Sequence, residues 1–239
     1  MTLKDFENIL FIDIETVPMT KSYANLPDVF RRLWLEKHQF FKDDTMDASK
    51  SFEVKAGIYA EFGKIICISV GYFFLDKKER KFRVKSFSSD DEAELLSDFS
   101  DLLNKNFSAA KHTICGHNIK EFDVPYICRR MLINGISLPK ILDQSGKKPW
   151  ETKYIDTLQL WKFGDYKSYT SLKLLAALFQ ISTPKDDIDG KDVARVYWQE
   201  NDLERIAIYC QKDVLTTAQL LLRFNNLSLL SEEEVTFLA

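Results

Sequence analysis

From Asn8 to Pro18 the chain reads NILFIDIETVP, an apolar run broken by acids at two alternate positions, and this pattern predicts a strand. Residues i and i+2 of a strand share a face. Ile9, Phe11, Asp13 and Glu15 therefore lie on one side, and Leu10, Ile12 and Ile14 on the other. Further along, GKIICISVGYFFLD (63–76) and KFRVKSFS (81–88) flank a charged KKER and predict a β-hairpin. HTICGHN (112–118) reads as a short buried strand ending in a loop, and KYIDTLQLW (153–161) as another short strand.

Helical spacing appears between these runs. SSDDEAELLSDFSDLLNKN (88–106) opens on Ser and acids, as a helix N-terminus prefers, and places Leu95, Leu96, Phe99, Leu102 and Leu103 on one face. EFDVPYICRRMLINGI (121–136) predicts a helix beginning around Val124 and Pro125 and ending at Gly135. SYTSLKLLAALFQI (168–181) is helical, with Ser168 or Thr170 as cap. The polar stretch from Thr183 leads to a short amphipathic piece before Asn201. In NDLERIAIYCQKDVLTTAQLLLRF (201–224), Asn201 and Glu204 have capping-box spacing, and Leu203, Ile206, Cys210, Val214, Thr217 and Leu221 form a stripe facing the core.

After the first strand, a mixed segment at about 19–51 reads as an insertion or flap. Val29, Phe30, Leu33 and Trp34 there have helical spacing, followed by a loop, KDDTMDASK. The order of elements implies an α/β layer with helices on a central sheet, in one domain spanning 1–239. Hydrophobic content of 45%, charged content of 29% and a net charge of −3 fit a soluble globular protein and exclude a strongly basic wrapper of nucleic acid. Cys67, Cys115, Cys128 and Cys210 form no CxxC pair and sit in apolar stretches, which points to reduced core residues. The N-terminus lacks a signal-peptide pattern and no apolar run reaches membrane-span length, so a cytoplasmic protein without membrane contact is expected.

Four acids interrupt otherwise apolar elements: Asp13 and Glu15 on the first strand, Asp123 at a helix start and Asp213 in the last helix, with Tyr209 one turn before it. Adjacent buried carboxylates repel, so positive charge is expected between them. A ligand set of oxygens alone suits Mg²⁺ or Mn²⁺ rather than zinc, and two such cations about 3.5–4 Å apart are a recurring device of phosphoryl hydrolysis. His117 reads as a loop-stabilising residue. Trp161, Phe163 and Tyr166 read as core or loop packing.

FIDIET resembles the first motif of DEDD-type 3′–5′ exonucleases, GHNIKEFDVPYI the second, and YCQKD the YxxxD third motif of the tyrosine subclass, DEDDy. The histidine subclass carries His five residues before the last Asp, where this chain has Ile208. EFGKIICISVG further resembles exonucleases related to the proofreading domain of family B DNA polymerases, and the resemblance runs from Ile9 to about Leu222.

The resemblance implies a ribonuclease-H-like fold with a five-stranded mixed sheet flanked by helices. It implies two divalent cations, Mg²⁺ or Mn²⁺, with Asp13 bridging both, Glu15 and Asp213 on the one that activates water, and Asp123 on the other. Tyr209 would orient the attacking water, since a phenol with a pKa near 10 is a poor base at neutral pH. Thr16 would meet the terminal nucleotide, Asn118 a sugar or phosphate, and Phe122 would stack on a base. The activity expected is removal of nucleoside 5′-monophosphates from single-stranded 3′ ends, of DNA in the first place, in repair or end trimming beside a separate polymerase or repair factor. The alternatives are an RNA-trimming enzyme and a catalytically silent nucleic-acid-binding module on the same fold.

Overall fold

The computed structural model describes residues 1–41, 45–148, 151–165, 167–182 and 188–238. Helix α1 (Leu3–Phe6) precedes β1 (Ile9–Pro18), which forms as its alternation predicts. Next come α2 (Asp28–His38) and α3 (Ala48–Lys55), then the hairpin β2 (Gly63–Asp76) and β3 (Glu79–Ser88), α4 (Glu92–Asn106), β4 (Thr113–Gly116) and α5 (Asp123–Ile133). The chain continues through β5 (Ile155–Asp156), α6 (Thr157–Lys162), α7 (Leu172–Leu178), α8 (Val193–Arg195), a π-helical turn (Val196–Glu200), α9 (Leu203–Phe224) and β6 (Val235–Leu238).

Among the described residues the sheet has six strands in the order β5-β4-β1-β2-β3-β6. β1, β2 and β3 are antiparallel neighbours, whereas β4, β5 and β6 join in parallel. The sixth strand, beyond the five expected, comes from the C-terminal segment, which pairs with the edge of β3. The hairpin turn is Lys77–Lys78, both with positive φ, as a two-residue loop that follows strand twist requires.

Both faces of β1 are covered. Leu10, Ile12 and Ile14 pack with Leu95, Leu96, Phe99 and Leu103 of α4 and Val124, Ile127 and Met131 of α5. On the other face, Ile9 and Phe11 meet Phe73, Phe82 and the α9 residues Val214, Ala218 and Leu221. A buried ion pair fixes α5 against α4: Arg130 Nε donates to Glu92 Oε1 at 2.8 Å, Arg130 Nη1 to the Ala60 carbonyl, and the Ile65 amide to Glu92. Gly71 lets α9 approach β2. A Cβ there would stand 2.5 Å from Phe82 Cζ and 2.7 Å from Val214 Cγ1.

Several local expectations shift. Of KYIDTLQLW, only Ile155–Asp156 is strand. From Thr157 it is helix, because the Asp156 carboxylate accepts the Leu158 and Gln159 amides and starts a turn. Ser171, not Ser168 or Thr170, caps α7. Asn201 adopts the left-handed conformation that closes the preceding turn, so the cap of α9 falls to Asp202, which accepts the Arg205 amide. In the segment after β1, Trp34 is fully buried with Leu26, Phe52, Ala56 and Phe62, but Val29 and Leu33 face solvent. Residues 48–50, expected in a loop, open α3, capped by Asp47.

Because Phe82 and Val214 are both buried and cannot step aside, Gly71→Ala overpacks the α9–sheet contact. The expected loss is about 1–3 kcal/mol of unfolding free energy, read as a lower urea midpoint.

Candidate active site

The acids of β1 stand where a hydrophobic sheet face turns polar. Along the side that α9 covers, Ile9 and Phe11 are followed by Asp13 and Glu15, which lie opposite Ser69 and Cys67 of β2. A bulge between Glu15 and Thr16 shifts the register, so that Glu15 pairs with Cys67 and Thr16 with Ile65. Bulges of this kind re-aim side chains at strand ends beside functional sites.

The β1–β4 ladder ends at Phe11–Cys115, and past that point, among the described residues, β1 is paired only with β2. Into the gap comes the start of α5. Asp123, buried as its first helical residue, accepts a hydrogen bond from the Ile14 amide. Asp156 holds the preceding loop, accepting the Asn118 and Lys120 amides at 3.1 Å each while it caps α6. His117 bridges Thr157 and the Thr170 carbonyl, at 2.9 and 3.0 Å, in the loop-stabilising position expected of it.

From the other side α9 presents Ile206, Cys210 and Val214 to the sheet, with Tyr209 and Asp213 on the flank of that stripe, and the Tyr209 hydroxyl hydrogen-bonds to Asp213. One ligand atom each from Asp13, Glu15 and Cys210 lie within 4.8 Å of one another.

The electrostatics follow from burial. Asp13 is pushed well above the ordinary carboxylate range, first by desolvation, then by the charges of Asp213 and Asp123. Glu15 is raised in the same way, by desolvation and then by Asp13 and Asp213. Asp123 rises to about 7, mainly through desolvation, despite the amide hydrogen bonds that lower it. Tyr209 is pushed upward by burial and by the carboxylates around it. No lysine or arginine among the described residues pairs with Asp13, Glu15 or Asp123. Asp13, Glu15 and Asp123 thus form a cluster of oxygen donors that no ion pair among the described residues offsets, a donor set that fits hard divalent cations.

Two hollows flank it. A cavity of about 750 Å³ is lined by Glu15, Thr16 and Phe122, by Lys21 and Lys50 on one wall, and by Lys191, Arg195 and Trp198 on the other. The Trp198 indole donates to the Pro18 carbonyl and ties that wall to the end of β1. A second hollow of about 340 Å³ is lined by Tyr209, Ile208, Arg205 and Lys212. Thr16 and Phe122 therefore share the cavity of Glu15, whereas Tyr209 lines the second hollow. Asn118, with positive φ, is held through its backbone by Asp156 and does not line the larger cavity.

Residues 58–236 match the model of a family described as predicted 3′–5′ exonucleases related to the exonuclease domain of PolB. The chain belongs to this family. The match begins after β1, so the place of Asp13 and Glu15 in the candidate site of this family member rests on geometry. Among solved structures, the family B DNA polymerase of the hyperthermophilic archaeon Pyrobaculum calidifontis is similar over 90% of this chain, at 18% identity and a TM-score of 0.54. The chain spans 24% of that polymerase, and the likeness is one of fold. It agrees with a ribonuclease-H-like arrangement of a mixed sheet flanked by helices. No curated protein matches. Among the described residues no helix is long and apolar enough to cross a membrane.

Sequence reading missed the contact of Cys210 with the acids, the role of Asp156 and the Lys191–Trp198 wall. Of these only Asp156 had a local signal, an Asp two residues ahead of a Leu-containing turn. Trp161 packs against Phe179 and Phe224, but Phe163, expected in packing, is 90% exposed at a left-handed turn, and Tyr166 lies outside the described residues.

The raised carboxylates bind protons more tightly folded than unfolded, so they contribute stability that is lost as pH rises. For Asp123 the window runs from an unfolded value of about 4 to about 7 in the fold. In chelator, thermal unfolding is expected at a higher temperature at pH 5.5 than at pH 8, a pair of values inside and above that window (about 4 to 7). Excess Mn²⁺ should raise the midpoint more at pH 8, because the cation displaces those protons.

Proposed function

We propose that this chain is a metal-dependent 3′–5′ exonuclease of the DEDDy type, hydrolysing the terminal phosphodiester of a single-stranded nucleic acid, DNA in the first place. The observation that carries the reading is the convergence of Asp13, Glu15, Asp123 and Asp213 beside a cation-walled cavity, in a chain of an exonuclease family.

Asp13, Glu15 and Asp213 would hold one divalent cation and Asp13 with Asp123 the second, Mg²⁺ or Mn²⁺. Cations bound there supply charge neutralisation, a more acidic water and support for the departing oxygen. Water adds to phosphorus, the bond to the 3′ oxygen of the preceding nucleotide breaks, and a nucleoside 5′-monophosphate leaves a strand with a new 3′ hydroxyl. Tyr209 stays protonated at neutral pH, so its hydroxyl positions by hydrogen bonding rather than acting as a base. Thr16 and Phe122 border the space for the terminal nucleotide, and Phe122 offers a ring for stacking. Lys21, Lys50, Lys191 and Arg195 give the cavity walls a charge that suits the phosphates of the strand. Lys50 has Glu53 nearby, Lys191 has Asp189, and Arg195 pairs with both Asp192 and Glu200; surface pairs of this kind are worth little and exchange readily.

A 5′-labelled single-stranded DNA incubated with Mg²⁺ or Mn²⁺ should shorten stepwise from its 3′ end, and chelation should stop it. Asp13→Ala should lower the rate by roughly 10³-fold or more, the loss of several kcal/mol of charge stabilisation, while unfolding no earlier in chelator, since it relieves repulsion. Tyr209→Phe should lose about 10–100-fold, as for one hydrogen bond to a charged group. Activity unchanged in Asp13→Ala overturns the site. A parallel RNA strand cut faster than DNA moves the substrate to RNA, and no cleavage of either leaves a binding module.

The cavity walls are tested separately by strand binding in chelator. Replacing Lys50 and Lys191 together by Ala should weaken binding and flatten its salt dependence by about 0.7 per lost phosphate contact. Wild-type affinity and slope would remove these lysines from the strand path.

A further inference from the structure

Where α9 crosses β1, the two surfaces meet at an acid. Ile206 and Val214 bury apolar side chains on either side of the crossing, and between them the helix presents position 210 directly to Asp13. The Cys210 thiol lies 3.3 Å from Asp13 Oδ2 and 3.4 Å from the Asp13 carbonyl. Asp13 Oδ1 has no protein donor among the described residues.

The requirement on position 210 is narrow. A branched hydrocarbon would leave Oδ2 desolvated against carbon, an expensive arrangement for a carboxylate. A lysine or arginine would put its charge where a cation has to sit. A thiol is small, neutral and a weak donor, so it can fix one oxygen without neutralising the group.

The thiol is itself held from behind. Cys67, opposite Glu15 on β2, interacts with the Cys210 thiol from behind. Its sulphur is 3.8 Å from Ser69 Oγ, which is 2.8 Å from Ser86 Oγ on β3. Cys210 has one proton, and a carboxylate accepts far better than a sulphur. The Cys210 proton therefore points to Asp13 rather than to Cys67. A polar row thus crosses three strands behind the acids, Ser86 to Ser69 to Cys67 to Cys210, and ends on Asp13.

We propose that Cys210 is a positioning residue for Asp13: its thiol, backed by Cys67 and the two serines, pins Oδ2 and thereby sets the carboxylate for cation binding alongside Glu15. This rests on the metal-dependent reading above. It also recasts the two cysteines, which sequence alone assigns to core packing, as part of the frame of the site.

The test compares Cys210→Ala, which removes the donor, with Cys210→Ser, which keeps one. Cys115→Ala serves as a control, since that cysteine is equally buried but on β4 and without contact to Asp13. Mn²⁺ binding is measured by calorimetry on the full chain, and thermal unfolding in chelator separates folding from metal affinity. Cys210→Ala should bind Mn²⁺ about tenfold more weakly, the scale of losing a partner that orients a metal ligand. Cys210→Ser should restore most of that affinity, and Cys115→Ala should lower the unfolding temperature while leaving Mn²⁺ affinity unchanged. Exonuclease assays should then show the Cys210→Ala defect shrinking at high Mn²⁺.

Wild-type affinity in Cys210→Ala overturns the proposal. So does an equal loss in the Ala and Ser variants that tracks their stability as in Cys115→Ala, which would make the residue merely structural. A wild-type chain that binds no Mn²⁺ overturns the metal reading itself, an outcome distinct from either.

Discussion

The structure depends on two carboxylates on the covered face of one strand, Glu15 buried and Asp13 partly so. Two unit charges about 4 Å apart repel by about 4 kcal/mol at an effective dielectric of about 20, and desolvation adds to that. The opposing contribution comes from packing. Ile206, Val214, Ala218 and Leu221 of α9 are fully buried along the same stripe, and a buried aliphatic side chain contributes about 1.5–3 kcal/mol. A 22-residue helix has enough such positions to hold Asp213 near Asp13 in spite of the charge. The fold thereby concentrates negative charge at one place, the demand that the divalent cations proposed for this site would answer.

The sheet supplies the second half of the arrangement. β1 is antiparallel to β2 for nearly its full length but parallel to β4 over only three residue pairs. Where β4 departs, a crevice opens at the carboxyl end of the strand, a usual place for ligands in open α/β sheets. Asp123 enters it because α5 is fixed by the Arg130–Glu92 pair and because Asp156 gathers the loop before it. Neither of those residues touches the other acids' face of β1. Each helps decide where the helix that carries Asp123 begins.

The segment after β1 has its own small core around Trp34, and its Lys21 and Lys50 line one wall of the larger cavity. The opposite wall runs from Lys191 through Arg195 into a π-helical turn anchored through Trp198 to the end of β1. Two pieces of chain nearly 150 residues apart thus make one basic cleft against Glu15. Separate windows of sequence, read alone, show only scattered surface charge in both.

What the sequence determined by itself is local and periodic. Alternation at 9–18 placed Asp13 and Glu15 on one face, 3.6-residue spacing in α9 put Tyr209 and Asp213 on the flank of an apolar stripe, and the three motifs marked the acids and the family. Caps and short elements were legible only approximately: Asp202 starts α9 in place of Asn201, Ser171 starts α7, and a run read as strand becomes α6 because a single Asp captures two amides. Tertiary structure alone decided that Cys210 meets Asp13, that Asp156 supports the second motif, that Tyr209 and Glu15 open on different hollows, and that the C-terminal segment adds a sixth strand. The reason is physical. Periodicity reports which way a side chain points from its own element, whereas a thiol beside a carboxylate depends on two elements far apart in sequence meeting at one height, which only packing sets.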